Sequence, residues 1–170
     1  QTCALPIFYN QTTGINRSIY AMGFRNPFTF DFQPGTGRFF VNDVGYATWE
    51  DVKDVAPGGN YGWPIYEGVS NDPNFKSPIV AYIHPPDPLS SAITGGAFYN
   101  PETNQFPANY VGKYFFMDGF TQWIRYIDLN TYTPTPYSTN LLGLQVNANY
   151  WISEFATNMT GVPLYLTVGP

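Results

Sequence analysis

Charge is scarce in this 170-residue chain. It carries 7 Lys and Arg, 12 Asp and Glu and one His, so that only 11% of its residues are charged. The formal charge of −5 argues against a sequence-independent grip on nucleic acid, which needs a surplus of Lys and Arg. One cysteine, Cys3, allows no internal disulfide and no thiolate metal cage. No apolar run approaches the roughly 20 residues of a membrane-spanning helix. Disorder is excluded from the other side, because 19% of the residues are aromatic and few are charged.

Turn formers are abundant: 16 Gly and 16 Pro, which argue against long helices and for many tight turns. Residues 27–32 alternate aromatic and polar, the period of a half-buried strand. Pro34, Gly35, Thr36 and Gly37 make a turn, and 38–42 return as a second strand. Further strands are predicted at 50–55, 79–83, 92–99, 112–117 and 122–127, with weaker ones at 144–146, 150–152 and 164–168. Residues 100–109 and 130–140 are predicted loops, and 61–66 a short irregular piece. Gly95 and Gly96, inside a strand pattern, point to a bulge or a close backbone approach. Hairpin follows hairpin without a helical crossover, so the fold class is all-β with antiparallel sheets, either a sandwich or part of a propeller. At roughly 40–50 residues per blade, the length would hold about three to four blades.

Both ends are read as cuts. Gln1 to Ile7 match a translated sequencing-library adapter and are set aside as a scar, which would make Cys3 foreign. Residues 164–170 form a strand and the start of a turn with nothing after it. The expectation is an internal piece of a longer protein, with residues 8–170 an incomplete domain.

Two groups of residues could carry chemistry. Asp43, Glu50 and Asp51 flank a glycine turn at Gly45, a pattern that offers carboxylates and carbonyls to a hard cation or simply makes a solvated acidic turn. Arg25 and Asn26 stand at the mouth of the 27–32 strand. A planar guanidinium fork beside an amide suits a ligand bearing carboxylates and carbonyls; the same arginine could equally cap loop carbonyls. His84, the one histidine, sits at a strand end before Pro85 and Pro86, a setting for a loop or structural role. Trp49, Trp63, Trp123 and Trp151 could stack on sugars, but packing between β layers is the commoner use. Asn10, Asn16 and Asn158 open glycosylation triplets of a kind common by chance.

The segments GFRNPF (23–28), PGTGRFFVNDVG (34–45), TWEDV (48–52) and GGNYGWP (58–64) resemble the glucose/sorbosone dehydrogenase family. So do residues 92–118 and, less closely, 162–170. The resemblance implies a six-bladed β-propeller, secreted or periplasmic in bacteria, that oxidises a sugar at its anomeric carbon with hydride transfer to pyrroloquinoline quinone (PQQ). Electrons would then leave to an external acceptor, and no membrane span or nucleic acid is involved. It further implies that Arg25 and Asn26 contact PQQ. Gly45 and Tyr46 would hold the catalytic calcium by their carbonyls, and Asp51 with the Tyr61 carbonyl a structural calcium. The family's general base, a histidine, lies upstream of the Arg-Asn pair, where this chain has none. Some members hold the quinone's carboxylates with a lysine after the 113–117 strand and a close arginine pair further on; here the first position falls near Phe120, and no arginine follows Arg125. The competing readings are a non-catalytic propeller used for binding and, more remotely, a β-sandwich carbohydrate-binding module.

Overall fold

A computed structural model describes residues 10–86, 90–134, 136–141 and 144–169. The adapter-like residues 1–7, with Cys3, lie outside the described part. Ten strands form two antiparallel sheets. The first contains β1 (Pro27–Phe32), β2 (Phe39–Asp43), β3 (Trp49–Asp54), β4 (Val80–Ile83), β9 (Leu144–Ala148) and β8 (Tyr137–Leu141), in that spatial order. The second runs β10 (Trp151–Ala156), β7 (Trp123–Asp128), β6 (Tyr114–Asp118) and β5 (Ile93–Phe98). Helical structure among the described residues is limited to two short 3-10 turns, Gly14–Ser18 and Ala108–Tyr110. The fold is all-β, and the two sheets are blades of a partial β-propeller. None of the described helices is long and apolar enough to cross a membrane.

The strand assignments from the sequence hold for β1 to β7, and the weaker ones at 144–146 and 150–152 fall at the starts of β9 and β10. Three features differ. First, the described residues make two sheets rather than three or four. Long connections (55–79 and 99–113) and an inserted hairpin use more chain per blade than a compact repeat does. Second, 137–141 is a strand inside the predicted loop. Its Ser138-Thr139-Asn140 centre hides it, but β8 pairs along its length with β9, and β9 pairs with β4. The β8–β9 hairpin comes between β7 and β10 in sequence, yet it extends the other sheet, so its ladder latches one blade to the next. Third, residues 164–168 run without a ladder partner among the described residues. This segment passes over β5, where Thr94 Oγ1 donates to the Pro163 carbonyl at 2.7 Å.

The alternation in β1 has the predicted period, and its aromatic side is the open one. Phe28, Phe30 and Phe32 are 47%, 61% and 52% exposed. Thr29 and Asp31 instead face the neighbouring sheet. Asn42 Nδ2 donates to Thr29 Oγ1 at 3.0 Å, and Asp31 Oδ2 accepts the Phe98 N–H at 2.8 Å. The polar face seals the joint between the sheets, while Phe32 stacks on Phe39 at 4.3 Å on the open side. Behind the joint lies the main core, centred on Phe40, Tyr82, Phe98, Tyr114, Phe116 and Trp123. Trp123 is thus a packing residue, whereas Trp151 is exposed.

Gly95 and Gly96 serve both predicted purposes. The β5–β6 register shifts between Ile93 and Gly95, and a Cβ on Gly96 would lie 2.1 Å from Tyr114 Oη and 2.4 Å from Asn42 Nδ2. Tyr114 Oη donates to Asn42 Oδ1 at 3.1 Å, so a methyl group at 96 would break the inter-sheet seal. Gly96→Ala should therefore lower the unfolding free energy by about 1–3 kcal/mol in urea titration. The control Gly169→Ala, with open space around it, should change stability by less than about 0.5 kcal/mol. Equal stability of the two variants would contradict this reading of the joint.

Candidate functional site

Antiparallel pairing brings the start of β1, the end of β2, the start of β3, the end of β4, the start of β5 and the end of β6 to one end of the sheets. That end carries most of the ionisable groups discussed above. Arg25 and Asn26 stand there because the chain before them is zipped to the Asn60–Pro64 corner. Met22 N–H donates to Gly59 O, Tyr61 N–H to Met22 O and Trp63 N–H to Gly23 O, all near 3 Å. Gly23 allows this closeness: its φ is +79°, and a Cβ there would meet Asn60 Oδ1 at 2.4 Å. The zipper sets Arg25 beside Trp63.

The Asp43 carboxylate fixes the pair. Its Oδ2 accepts the Arg25 N–H at 3.1 Å and its Oδ1 the Asn26 N–H at 2.7 Å. The Arg25 guanidinium donates to the carbonyls of Gly45 at 2.5 Å and Val44 at 3.2 Å. It lies 5.4 Å from the Tyr46 ring centroid and 6.0 Å from that of Trp63, so two aromatic faces help to aim it. Arg25 therefore does cap loop carbonyls, and Arg25, Asn26 and Tyr46 are nevertheless exposed. Three sequence-predicted residues, Arg25, Gly45 and Tyr46, come together, with Asn26 one residue along.

The turn after Gly45 owes its shape to a residue the sequence did not reveal. Glu67 Oε1 accepts the N–H groups of Tyr46, Ala47, Thr48 and Trp49 at 2.8, 2.9, 2.9 and 3.1 Å. Burial would raise the Glu67 carboxyl, but these four donors outweigh it and hold the pKa below the ordinary glutamate value. Because each trans peptide sets C=O opposite N–H, the carbonyls of Gly45 and Tyr46 point away from Glu67. Gly45 is obligatory, since a Cβ there would meet the Trp49 carbonyl oxygen at 1.5 Å. The Gly45 carbonyl is taken by the Arg25 guanidinium, so a calcium ion on the Gly45 and Tyr46 carbonyls, as the resemblance implies, would require Arg25 to leave Gly45, which would free its fork for an anionic quinone.

Behind this turn, Glu50 is fully buried. Its Oε2 accepts the N–H groups of Gly45 at 3.3 Å and Ile93 at 3.0 Å, and its Oε1 lies 2.7 Å from His84 Nε2. Burial raises the Glu50 carboxyl, and the bonds to His84, Ile93 and Gly45 offset part of that rise. The hydrogen bond to Glu50 raises the His84 pKa against the effect of partial burial. His84 also donates its backbone N–H to the Thr48 carbonyl at 2.8 Å, so it braces the turn from behind, the structural role predicted for it.

Asp51 and Tyr61 are differently engaged. Asp51 Oδ2 and Asp43 Oδ2 both bind the Lys53 ammonium, at 3.0 and 2.6 Å, in a buried cluster. The Tyr61 hydroxyl donates to Asp54 O at 2.6 Å and accepts the Ala56 N–H at 3.0 Å. Its ring lies 4.9 Å from that of Phe24, which in turn lies 5.8 Å from Lys53 Nζ. A cation at Asp51 would have to share the carboxylate with an ammonium group already in place, so this pair does not fit a structural calcium. No cluster of three or more His, Cys, Asp and Glu side chains suited to a metal occurs among the described residues. Phe120, just beyond β6, is exposed at the same end of the sheets.

The profile of the glucose/sorbosone dehydrogenase family matches residues 6–122. The chain is 37% identical over 117 residues to HIPL2 protein of Arabidopsis thaliana, a match that covers 59% of this chain and 16% of the relative. Among solved structures it is similar to a Thermus thermophilus protein described as a putative oxidoreductase (glucose dehydrogenase). The TM-score is 0.65 at 22% identity, over 99% of this chain and 43% of that one. It is also similar to the PQQ-bound form of aldose sugar dehydrogenase from Streptomyces coelicolor, with a TM-score of 0.58 at 21% identity over 87% of this chain and 35% of that one. The chain thus spans less than a fifth of this curated relative and less than half of these solved structures.

Two measurements check the site's internal supports. Glu67→Gln should leave the four N–H groups with a weaker acceptor, so the amides of 46–49 should exchange with deuterium at least several-fold faster than those of β2; unchanged exchange would refute the role of Glu67. His84, as the sole histidine, gives one imidazole signal. Its folded pKa should lie above about 6.5, and Glu50→Gln should bring it down. Since the folded value is raised, the stability contributed by the pair is fully present below about pH 6.5 and is lost as pH rises through the folded pKa. A folded pKa at or below about 6.5 would contradict the pairing.

Proposed function

The chain belongs to the glucose/sorbosone dehydrogenase family, and on that premise we propose that it is the cofactor-facing arc of a PQQ-dependent sugar dehydrogenase. The protein carrying it would oxidise an aldose at its anomeric carbon. The observation that supports this reading most is the exposed Arg25 guanidinium, aimed by Tyr46 and Trp63 and set against the Gly45 carbonyl. Bound PQQ supplies the hydride acceptor. Arg25 offers a planar, permanently charged fork for one of its carboxylates, and the neighbouring Asn26 amide can both donate and accept. The Gly45 and Tyr46 carbonyls would hold a calcium ion beside it, releasing Arg25 from Gly45. Asp43 and Glu67 keep these groups in place before any ligand arrives.

Proton removal from the sugar hydroxyl needs a base, which we place in chain outside these 170 residues. His84 is committed to Glu50 and to Thr48. We therefore propose that the 170-residue chain alone does not turn over, and that the whole protein is secreted or periplasmic and passes electrons to an external acceptor. A second reading, a non-catalytic propeller used for binding, is favoured by one observation: exposed Phe120 stands where some family members anchor the quinone with lysine.

Titration with PQQ in the presence of calcium separates the two. Saturable quenching of tryptophan fluorescence is expected from the longer protein, and Arg25→Ala should weaken it by about 10–100-fold, the loss of charge-assisted hydrogen bonds. Absence of saturable uptake would favour the binding module. Dye-linked aldose oxidation by the 170-residue chain alone, after addition of PQQ and calcium, should be undetectable; turnover would overturn the placement of the base.

A further inference from the structure

Asp43 and Asp51 are direct partners across the β2–β3 ladder, and both are buried. Like charges in that position repel, and burial removes the water that would screen them. Lys53 lies two residues beyond Asp51 and so shares its face of β3. Its ammonium, only 3% exposed as a residue, bridges Asp43 Oδ2 at 2.6 Å and Asp51 Oδ2 at 3.0 Å. We infer that Lys53 is a built-in cation: it takes the place of a structural divalent ion at this carboxylate pair and, through Asp43, positions Arg25 and Asn26. The positioning half rests on the reading of Arg25 and Asn26 as the quinone contact; the cation half does not.

The carboxylate oxygens show why the ammonium and a divalent ion exclude each other. Asp43 Oδ1 is taken by the Asn26 N–H, and Asp43 Oδ2 by the Arg25 N–H and Lys53. Asp51 Oδ2 is taken by Lys53, which leaves Asp51 Oδ1 as the one carboxylate oxygen of the pair without a hydrogen-bond partner. Calcium takes about six to eight oxygen ligands. An ion at that single oxygen would stand close to an ammonium group in a buried site, and two positive charges there repel. Burial works against the charge on Lys53, but the carboxylates of Asp51 and Asp43 outweigh it, and its pKa is raised. The ammonium is thus held in its charged form.

The link to the site runs through one side chain. Asp43 can hold the Arg25 and Asn26 N–H groups only while its own carboxylate is fixed in place. Lys53 fixes it, so it is a positioning residue for a pair it does not touch.

The test is calcium titration, by calorimetry and by thermal unfolding, of the full chain and its variants. The wild type should show no calcium binding that Asp51→Asn abolishes, and its midpoint should be the same in chelator as in calcium, apart from any rise that Asp51→Asn retains. Lys53→Ala should melt about 6–20 °C lower, as for a broken buried ion pair, and should regain part of that loss in millimolar calcium. Calcium binding by the wild type that disappears in Asp51→Asn would overturn the inference. So would a Lys53→Ala variant as stable as the wild type in chelator, or one whose loss calcium does not reduce. If Lys53→Ala fails to fold, the comparison of wild type with Asp51→Asn decides alone. In the longer protein the PQQ affinity of Lys53→Ala should fall below that of the wild type at the same low calcium, and millimolar calcium should narrow that gap; equal affinity of the two at low calcium would overturn the positioning half. A wild type that takes up no PQQ would overturn the Arg25 reading while leaving the calcium result intact.

Discussion

Buried and half-buried carboxylates that accept backbone N–H groups hold the loop end of this molecule in shape. Asp43 binds the N–H groups of Arg25 and Asn26, Glu50 those of Gly45 and Ile93, and Glu67 those of residues 46–49. Asp118 does the same at the end of β6. Its Oδ1 accepts the N–H groups of Phe120 and Thr121, and its Oδ2 accepts the Ala92 N–H and the hydroxyls of Ser91 and Tyr82. In a chain with 12 acidic residues, these four do the work that regular ladders do elsewhere. Loops cannot satisfy their own N–H groups by pairing, and an unmade buried hydrogen bond costs about 1–3 kcal/mol. An ionised acceptor serving several donors removes that cost and leaves carbonyls and exposed side chains free for a ligand.

Because these acids are wholly or partly withdrawn from water, each needs a counterpart. Glu50 has His84, and Asp43 and Asp51 have Lys53. Glu67 and Asp118 are each held by several neutral donors. The scarcity of charge noted in the composition is therefore not a scarcity of electrostatics. Much of this charge is paired at the same end of the two sheets, where Asp118 also borders the aromatic core through Tyr82.

Strand pattern and turn chemistry made most of the fold legible. The hairpin of β1 and β2, the edges of β3 to β7 and the double purpose of Gly95 and Gly96 could be read from period and residue type. The facing of β1 could not, because alternation fixes the period but not which side is covered: Thr29 and Asp31 face the second sheet through hydrogen bonds that depend on Asn42 and Phe98. β8 was hidden because its stability comes from β9 and β4 rather than from its own residues. Of the site, Arg25, Asn26, Gly45 and Tyr46 stood out through their motifs. Glu67 did not, since it meets the turn from about 20 residues away with no spacing to announce it. Lys53 was visible in the sequence but read as nothing, because its meaning lies in the ladder that sets Asp43 opposite Asp51.

We propose that this end of the molecule, at Arg25 and the Gly45 turn, receives an anionic quinone with its metal. The most direct measurement is a crystal structure of the longer protein with PQQ and calcium bound. A quinone carboxylate is expected about 2.7–2.9 Å from the Arg25 guanidinium, with calcium on the Gly45 carbonyl in place of that arginine. A quinone bound elsewhere, with Arg25 still closed onto Gly45, would contradict it.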